Sequence, residues 1–532
     1  YYGELAHHFA IAAPAGHASK AADYAIKAGE RATAQLAWET ALQHYERALH
    51  AIDLQAAPDA AQRCDILLAL GSAQYHAVLD VSESPEGRHS FLQAAEIART
   101  IGSPERLGHA ALEFAGLNVV RTAGGVQQVQ LLEEALALAP REDSALKARL
   151  LARLAVDYRV IPGSSDRIAT LSNEALAMAR RLGDPAVLTF VLIARRVAIW
   201  GPDNLDERLA TVAEAQSVVD TAVDPYLGLW RQLFSAIDLY ESGDSPGFDR
   251  EVDAFVEAAR QTRAPYFLWF SAIYQAGRAI KEGNFAAAEA SVPALGGASQ
   301  ALVAIYFRTL LLFLLRREQG RLHEIDKPLD VVIDLTRESV NPFDRHRGHV
   351  AQVMRMILLA ESDRAEDARS LFEAFASQDF ADLPKDSYWL ATFVLLADIC
   401  VLLGDRKRAA MLNELLLPYA ARNAAAGSGA MFFGAVSYYL GLLATLLSRW
   451  NDATRHFDHA LAMNAHMRAR PAVAHTQYAY AEMLLQRDGA DDRERALSLI
   501  GEALGTAEEL DMTRLAERAL ALKVQVQGIL KA

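Results

Sequence analysis

The sequence predicts an all-α protein, a solenoid of helical hairpins. Three observations predict it. Ala, Leu, Arg and Glu, all good helix formers, fill long stretches of the 532 residues, and only 17 Pro and 31 Gly interrupt them. One pattern of small, aromatic and aliphatic residues occurs twice at identical spacing. Short Gly- and Asp-containing turns separate helix-length segments, and no run of strict apolar–polar alternation bounded by hairpin turns occurs, so no sheet is expected.

The repeated pattern is Gly29, Ala32, Trp38, Ala41, Tyr45, Ala48, Leu49 and, 412 residues later at every position, Gly441, Ala444, Trp450, Ala453, Phe457, Ala460, Leu461. A glycine in the first helix lets its neighbour approach closely. An aromatic residue opens the second helix, whose packing face is small residues around one large ring. This is the tetratricopeptide pattern, a helix–turn–helix of about 34 residues. Such hairpins stack into a right-handed superhelix, with an extended concave face lined by the first helix of each hairpin.

Further units follow in order. Leu70-Gly71 begins a first helix, with Phe91, Ala94 and Ala95 on the second. Ala135, Ala175 and Ala215 mark second-helix cores at steps of 40. Gly277, Gly283, Phe285 and Ala286 mark another hairpin, then Ala365–Phe372, then Gly404–Leu416, and Ala496–Leu504 closes the series. The mean period is nearer 40 than 34, which gives about eleven or twelve hairpins. The turns Leu182–Pro185, Glu241–Asp244, Gln319–Arg321 and Leu403–Asp405 carry a Gly that ends one helix, three of them followed by an Asp that starts the next. An irregular stretch near Gly296–Gln300 is expected to mark a joint between sub-domains.

Acidic residues number 67 and basic residues 53, a net charge of −14. This disfavours direct nucleic-acid binding, which needs Lys and Arg against phosphates. The clusters Arg316-Arg317, Arg345-His346-Arg347 and Arg468-Ala469-Arg470 are expected at solvated helix ends. Cys64 and Cys400 read as buried apolar residues, and two distant cysteines suit a reducing cytoplasm. The most apolar windows are too short to span a bilayer, so no membrane association is expected. The chain starts at Tyr1, in what reads as mid-helix, and the expectation is a fragment of a longer protein.

The chemistry of common enzymes is missing from the pattern. There is no P-loop, no dinucleotide fingerprint and no nucleophile elbow, so no cofactor, metal or catalytic residue is expected. Gly427-Ser428-Gly429 reads as a flexible connection between helices. His456 and His459, three apart on a helix, read as surface histidines and not as a metal site.

Segments that break the repeat put aromatic and polar residues at turn edges: Trp200–Glu207, Asp379–Trp389 and Pro418–Asn423. Two readings stand for them. In one, Trp200, Asn204, Tyr388, Trp389 and Asn423 form a binding rim. In the other, polar residues cap helices and the tryptophans pack corners. Exposed first-helix side chains are the default ligand contacts, and the candidates are Arg195, Tyr274, Arg278, Arg308, Tyr438 and Tyr478.

Together with Glu4–Phe9, Ala41–Leu49, Trp200–Glu207, Leu314–Arg321, Phe380–Leu390, Leu415–Asn423 and Leu515–Ala519, these features run nearly end to end. They resemble the C-terminal tetratricopeptide region of large bacterial STAND-class signal-transduction ATPases. These occur among LuxR-type ATP-binding regulators and beside adenylate/guanylate cyclase domains. The resemblance implies that 1–22 ends an ATPase module, and the irregular stretch near Gly296–Gln300 divides the continuous solenoid into 23–295 and 296–532. It also implies a non-catalytic sensor in the cytoplasm, acting in signal transduction and transcription regulation. The partners would be a small-molecule inducer or a protein, and the chain's own upstream ATPase domain. The family fixes no ligand-contact residue here. The alternative is a stand-alone scaffold that docks protein partners.

Overall fold

The computed structural model describes residues 2–77, 85–116, 125–219, 225–262, 265–292, 295, 302–339, 342–362, 364–381, 383–427 and 431–531. Among them run 26 α-helices, most paired into antiparallel hairpins through turns of a few residues. The expected joint at Gly296–Gln300 lies outside the described residues. No described helix is long and apolar enough to cross a membrane.

The turns end and start helices as the residue types dictate. At Leu182–Pro185, Gly183 takes the left-handed conformation (φ 66°), and Asp184 accepts hydrogen bonds from the amides of Ala186 (2.8 Å) and Val187 (3.2 Å). Asp405 does the same for Arg408 N at 3.0 Å. The repeated glycine acts by close approach. A Cβ on Gly29 would stand 2.6 Å from the Tyr45 ring, and one on Gly441 2.7 Å from Phe457. The two stretches 412 residues apart therefore use the same lock.

The chain divides into two compact units. Unit 1 holds Tyr1–Ile199, Ala210–Arg231 and Val256–Trp269; unit 2 holds Trp200–Leu209, Gln232–Phe255 and Phe270–Ala532. Unit 1 begins with an alanine core. Ala21, Ala22, Ala25 and Ala28 of helix Ala18–Ala34 pack with Ala41, Tyr45 and Ala48 of helix Trp38–Asp53. Small side chains let the helix axes come close, and Tyr45 fills the remaining space. Trp38 of this core stacks on His76 (ring centroids 4.4 Å apart), His76 on Tyr226 (4.9 Å), and Tyr226 on Phe267 (5.7 Å). Burial lowers the His76 pKa from 6.5 to about 4, so the stacked imidazole is neutral.

Unit 2 departs from the expected open concave face, because its hairpins come back on themselves. The Lys281 ammonium donates to the Met467 carbonyl at 2.8 Å, 186 residues away. His475 meets Glu318 (2.9 Å) across 157 residues, and Arg514 meets Glu361 across 153. Gly283 sits in a turn at φ 85°, and a Cβ there would lie 2.6 Å from Leu510. The missing side chain is what lets the later hairpin seat on this turn.

Unit 2 also contains an antiparallel pair of short strands where none was expected. β1 (Asn423–Ala425) pairs with β2 (Phe432–Ala435), Asn423 opposite Ala435 and Ala425 opposite Phe432. The strands are held from outside. Asn423 Nδ2 donates to the Tyr240 carbonyl (2.9 Å), Gly434 N donates to the Tyr240 hydroxyl (3.2 Å), and Ala435 N donates to Asn464 Oδ1 (3.0 Å). Of the expected Gly427–Gly429 connection, only Gly427 is among the described residues.

Candidate ligand-binding cavity

The closure of unit 2 leaves a partly open cavity of about 220 Å³. Its walls come mostly from first helices of successive hairpins, from Pro225–Ser242 through Arg470–Arg487, with Asn464 of helix Trp450–His466 and the last helix, Thr513–Lys531. β2 supplies one side through Phe432–Ala435. Apolar wall comes from Leu314, Leu395, Val401, Leu402 and Leu442. Leu402 remains 42% exposed although it lines the cavity.

The charged lining is a set of pairs. Arg317 donates to Glu361 (2.7 Å) and to Asp398 (2.6 Å), and Arg514 holds the other oxygen of Glu361. Burial works against the Glu361 carboxylate, but the two guanidiniums outweigh it and hold its pKa below the ordinary value. Arg518 lies 4.6 Å over the Tyr478 ring and 3.5 Å from Glu482, which accepts a hydrogen bond from the Tyr478 hydroxyl at 2.7 Å. Burial, and then the Glu482 charge, push the Tyr478 pKa up to about 12. Burial likewise lowers the pKa of Lys281. Tyr438 stands between these groups with its pKa raised by burial, and its hydroxyl makes no hydrogen bond among the described residues.

Of the sequence candidates, Tyr438 and Tyr478 come together in this cavity. The others lie elsewhere. In unit 1, Arg195 donates to Ser172 (3.0 Å) and Asn173 (2.8 Å). In unit 2, Trp200 packs edge-on to Phe234 and Trp389 stacks on Phe393, so both tryptophans fill corners. Tyr274 is buried with its hydroxyl on the Leu233 carbonyl (3.4 Å). Arg278 pairs with Asp253 at 2.7 Å. Arg308 has its Nε buried without a hydrogen-bond partner. Tyr388 accepts from Arg347 Nε at 3.2 Å, and Asn423 is fully buried beside Tyr240. Asn204 lies in the short helical turn Pro202–Asn204 that precedes helix Leu205–Val219.

Several sequence expectations are corrected here. Arg316 and Arg317 are not a solvated end. Consecutive helical residues point about 100° apart, so Arg316 turns to Glu289 and Glu324 while Arg317 enters the cavity. His346 pairs with Asp386 and Arg347 with Asp344, so those two are sheltered, while Arg345 is exposed as expected. Arg468 and Arg470 are solvated as well. His456 is buried, not on the surface.

Sequence reasoning missed Arg317, Glu361, Asp398, Glu482, Arg514 and Arg518. One signal was present. Asp398 is the lone charge in the apolar helix Trp389–Leu403, and a buried carboxylate demands a cationic partner. Nothing local says that the partner is Arg317.

No protein-family model matches the chain, and no curated protein matches it. Among solved structures, it is similar to the crystal structure of the APC/C hetero-tetramer Cut9–Hcn1, at 13% identity and a TM-score of 0.41, covering 96% of this chain and 98% of that one. It is similar to yeast Tom70 at 14% identity and a TM-score of 0.24, covering 95% and 96%. It is also similar to a circular tandem repeat protein with novel repeat topology, at 14% identity and a TM-score of 0.13, covering 98% and 97%. These likenesses are low in identity and in superposition, and the helical-hairpin fold rests on the helices themselves.

Proposed function

We propose that the chain is a non-catalytic binding region whose unit 2 takes a small molecule into its cavity. One observation carries this reading. The first helices, which in an open solenoid would line a groove for a protein tail, here converge on a partly open space of about 220 Å³, room for about seven waters at liquid density. That space suits one small metabolite. The lining argues for binding over catalysis. Glu361 is held ionised by two arginines, so it is a poor general acid, and the other carboxylates are likewise engaged.

The sequence resemblance supports a finer reading of the same site. The chain is then the sensor arm of a cytoplasmic STAND-type ATPase regulator, in which 1–22 ends the ATPase module and 23–295 and 296–532 form the repeat region. A ligand that prefers one curvature of the array shifts its population and passes the signal on.

The test is thermal unfolding of the 532-residue chain against a metabolite panel, with a lysate pull-down beside it. A metabolite that raises the melting temperature in a dose-dependent way supports the reading. A retained protein with no metabolite shift makes the chain a docking scaffold and removes the small-molecule reading.

A further inference from the structure

We infer that the cavity ligand is a zwitterion, specifically an α-amino acid with an apolar side chain. The inference rests on the cavity reading above and names its ligand class.

Both signs line one small space, and the charges are already engaged: Arg317 and Arg514 on Glu361, Arg317 on Asp398, Arg518 on Glu482, with the His475 ring against Glu318. Lys281 also lines the space, but its ammonium is spent on the Met467 carbonyl (2.8 Å) with Glu282 3.6 Å away. An added phosphate or dicarboxylate would therefore face four carboxylates with no spare guanidinium. An added cation would face the arginines. A desolvated net charge without a partner is costly, so the lining selects against both. A molecule that brings one charge of each sign adds no net charge.

The pairs are not equally tight. Those of Arg317 and His475 lie at 2.6–2.9 Å, whereas Arg518 and Glu482 are 3.5 Å apart and remain 49% and 37% exposed. This is the pair a ligand can join. An α-amino acid carries its ammonium and carboxylate on one carbon. Laid antiparallel to Arg518–Glu482, its carboxylate meets the guanidinium and its ammonium meets the Glu482 carboxylate, a closed ring of four alternating charges. Such charge-assisted hydrogen bonds are the strong ones. Tyr438 has a hydroxyl free to donate to the ligand carboxylate. The exposed side of Leu402, with Leu314 and Leu442, gives an apolar side chain a place to rest.

The test is calorimetric titration of the whole chain with leucine and phenylalanine. N-acetyl-leucine, leucinamide, N-acetyl-leucinamide, glucose and adenosine monophosphate serve as comparison probes. The expected result is binding of the free amino acids, weakened at least about tenfold by blocking either charge. Arg518→Met and Glu482→Gln should each weaken it as much, and Tyr438→Phe by less. Melting curves confirm that the variants fold; should one not fold, the blocked ligands and the other variant still decide. If N-acetyl-leucinamide binds as tightly as leucine, or glucose or adenosine monophosphate binds and leucine does not, the zwitterion assignment falls and the cavity reading stands. If no probe of any class binds, both fall.

Discussion

In unit 1, Trp38 and Tyr226, about 190 residues apart, meet through the His76 ring between them. In unit 2, helices separated by 153–186 residues meet through polar contacts: the ion pair of Arg514 with Glu361, the hydrogen bond of His475 with Glu318, and the Lys281 ammonium donating to a backbone carbonyl. The local hairpin is the same in both, since Gly29–Tyr45 and Gly441–Phe457 use one lock. What differs is how remote hairpins are fastened. Stacked rings bring apolar faces together, whereas paired charges keep polar atoms at the seam, and the candidate site in unit 2 is lined by those pairs.

The shared lock is the place to break both units alike, and it should give the largest effect. Gly441→Leu drives a side chain into the Phe457 ring, and Gly29→Leu into Tyr45. Overpacking of this kind costs about 3 kcal/mol. Urea unfolding should show losses of similar size for the two variants, with partial recovery when Phe457→Ala accompanies Gly441→Leu. A loss in one unit alone would show that the matched spacing does not mean matched packing.

The fastenings separate with pH. His76 is neutral in the fold and has a lowered pKa, so the unfolded chain binds its proton more readily. Stability from this group is therefore full above pH 6.5 and lost as pH falls toward 4. The loss reaches about 3 kcal/mol. His76→Phe should flatten the stability profile across that window while keeping the stack. Glu361 also has a lowered pKa, and its contribution is lost only as pH falls below 4.5. Glu361→Leu leaves Arg514 unpaired and strips one partner from Arg317. Because both arginines are partly exposed, the expected loss is about 2 kcal/mol. It should appear at neutral pH, in contrast to His76→Phe.

The local code was legible because a hairpin buries residues a few turns apart in one stretch, so Gly29, Ala41, Tyr45 and Ala48 declare their roles by spacing. Closure was not legible, because Arg317 and Glu361 are placed by how hairpins stack, and nothing in either segment names the other. Tyr438 and Tyr478 were found as first-helix residues, yet Tyr274 met the same criterion and is spent on packing. The strands at Asn423–Ala435 escaped for a related reason. Three or four residues are too few to show alternation, and they are held by Tyr240 and Asn464 from other helices.

The smallest effect should come from the turn on which unit 2 closes. Gly283 combines a positive φ of 85° with a contact point on Leu510. Alanine there is strained in the backbone and presses a methyl on the tip of a flexible side chain, which can give way. The cost is about 1 kcal/mol, and it should be paired with a weaker grip between the hairpins that meet there. Hydrogen exchange separates the two components. If Gly283→Ala raises exchange only at the turn, the strain is local and closure is held by the ion pairs alone. If exchange also rises at helix Thr513–Lys531, which follows Leu510 and carries Arg514 and Arg518, the turn is part of the fastening. The same variant should then weaken any ligand held in the cavity, since one wall of the cavity is that helix.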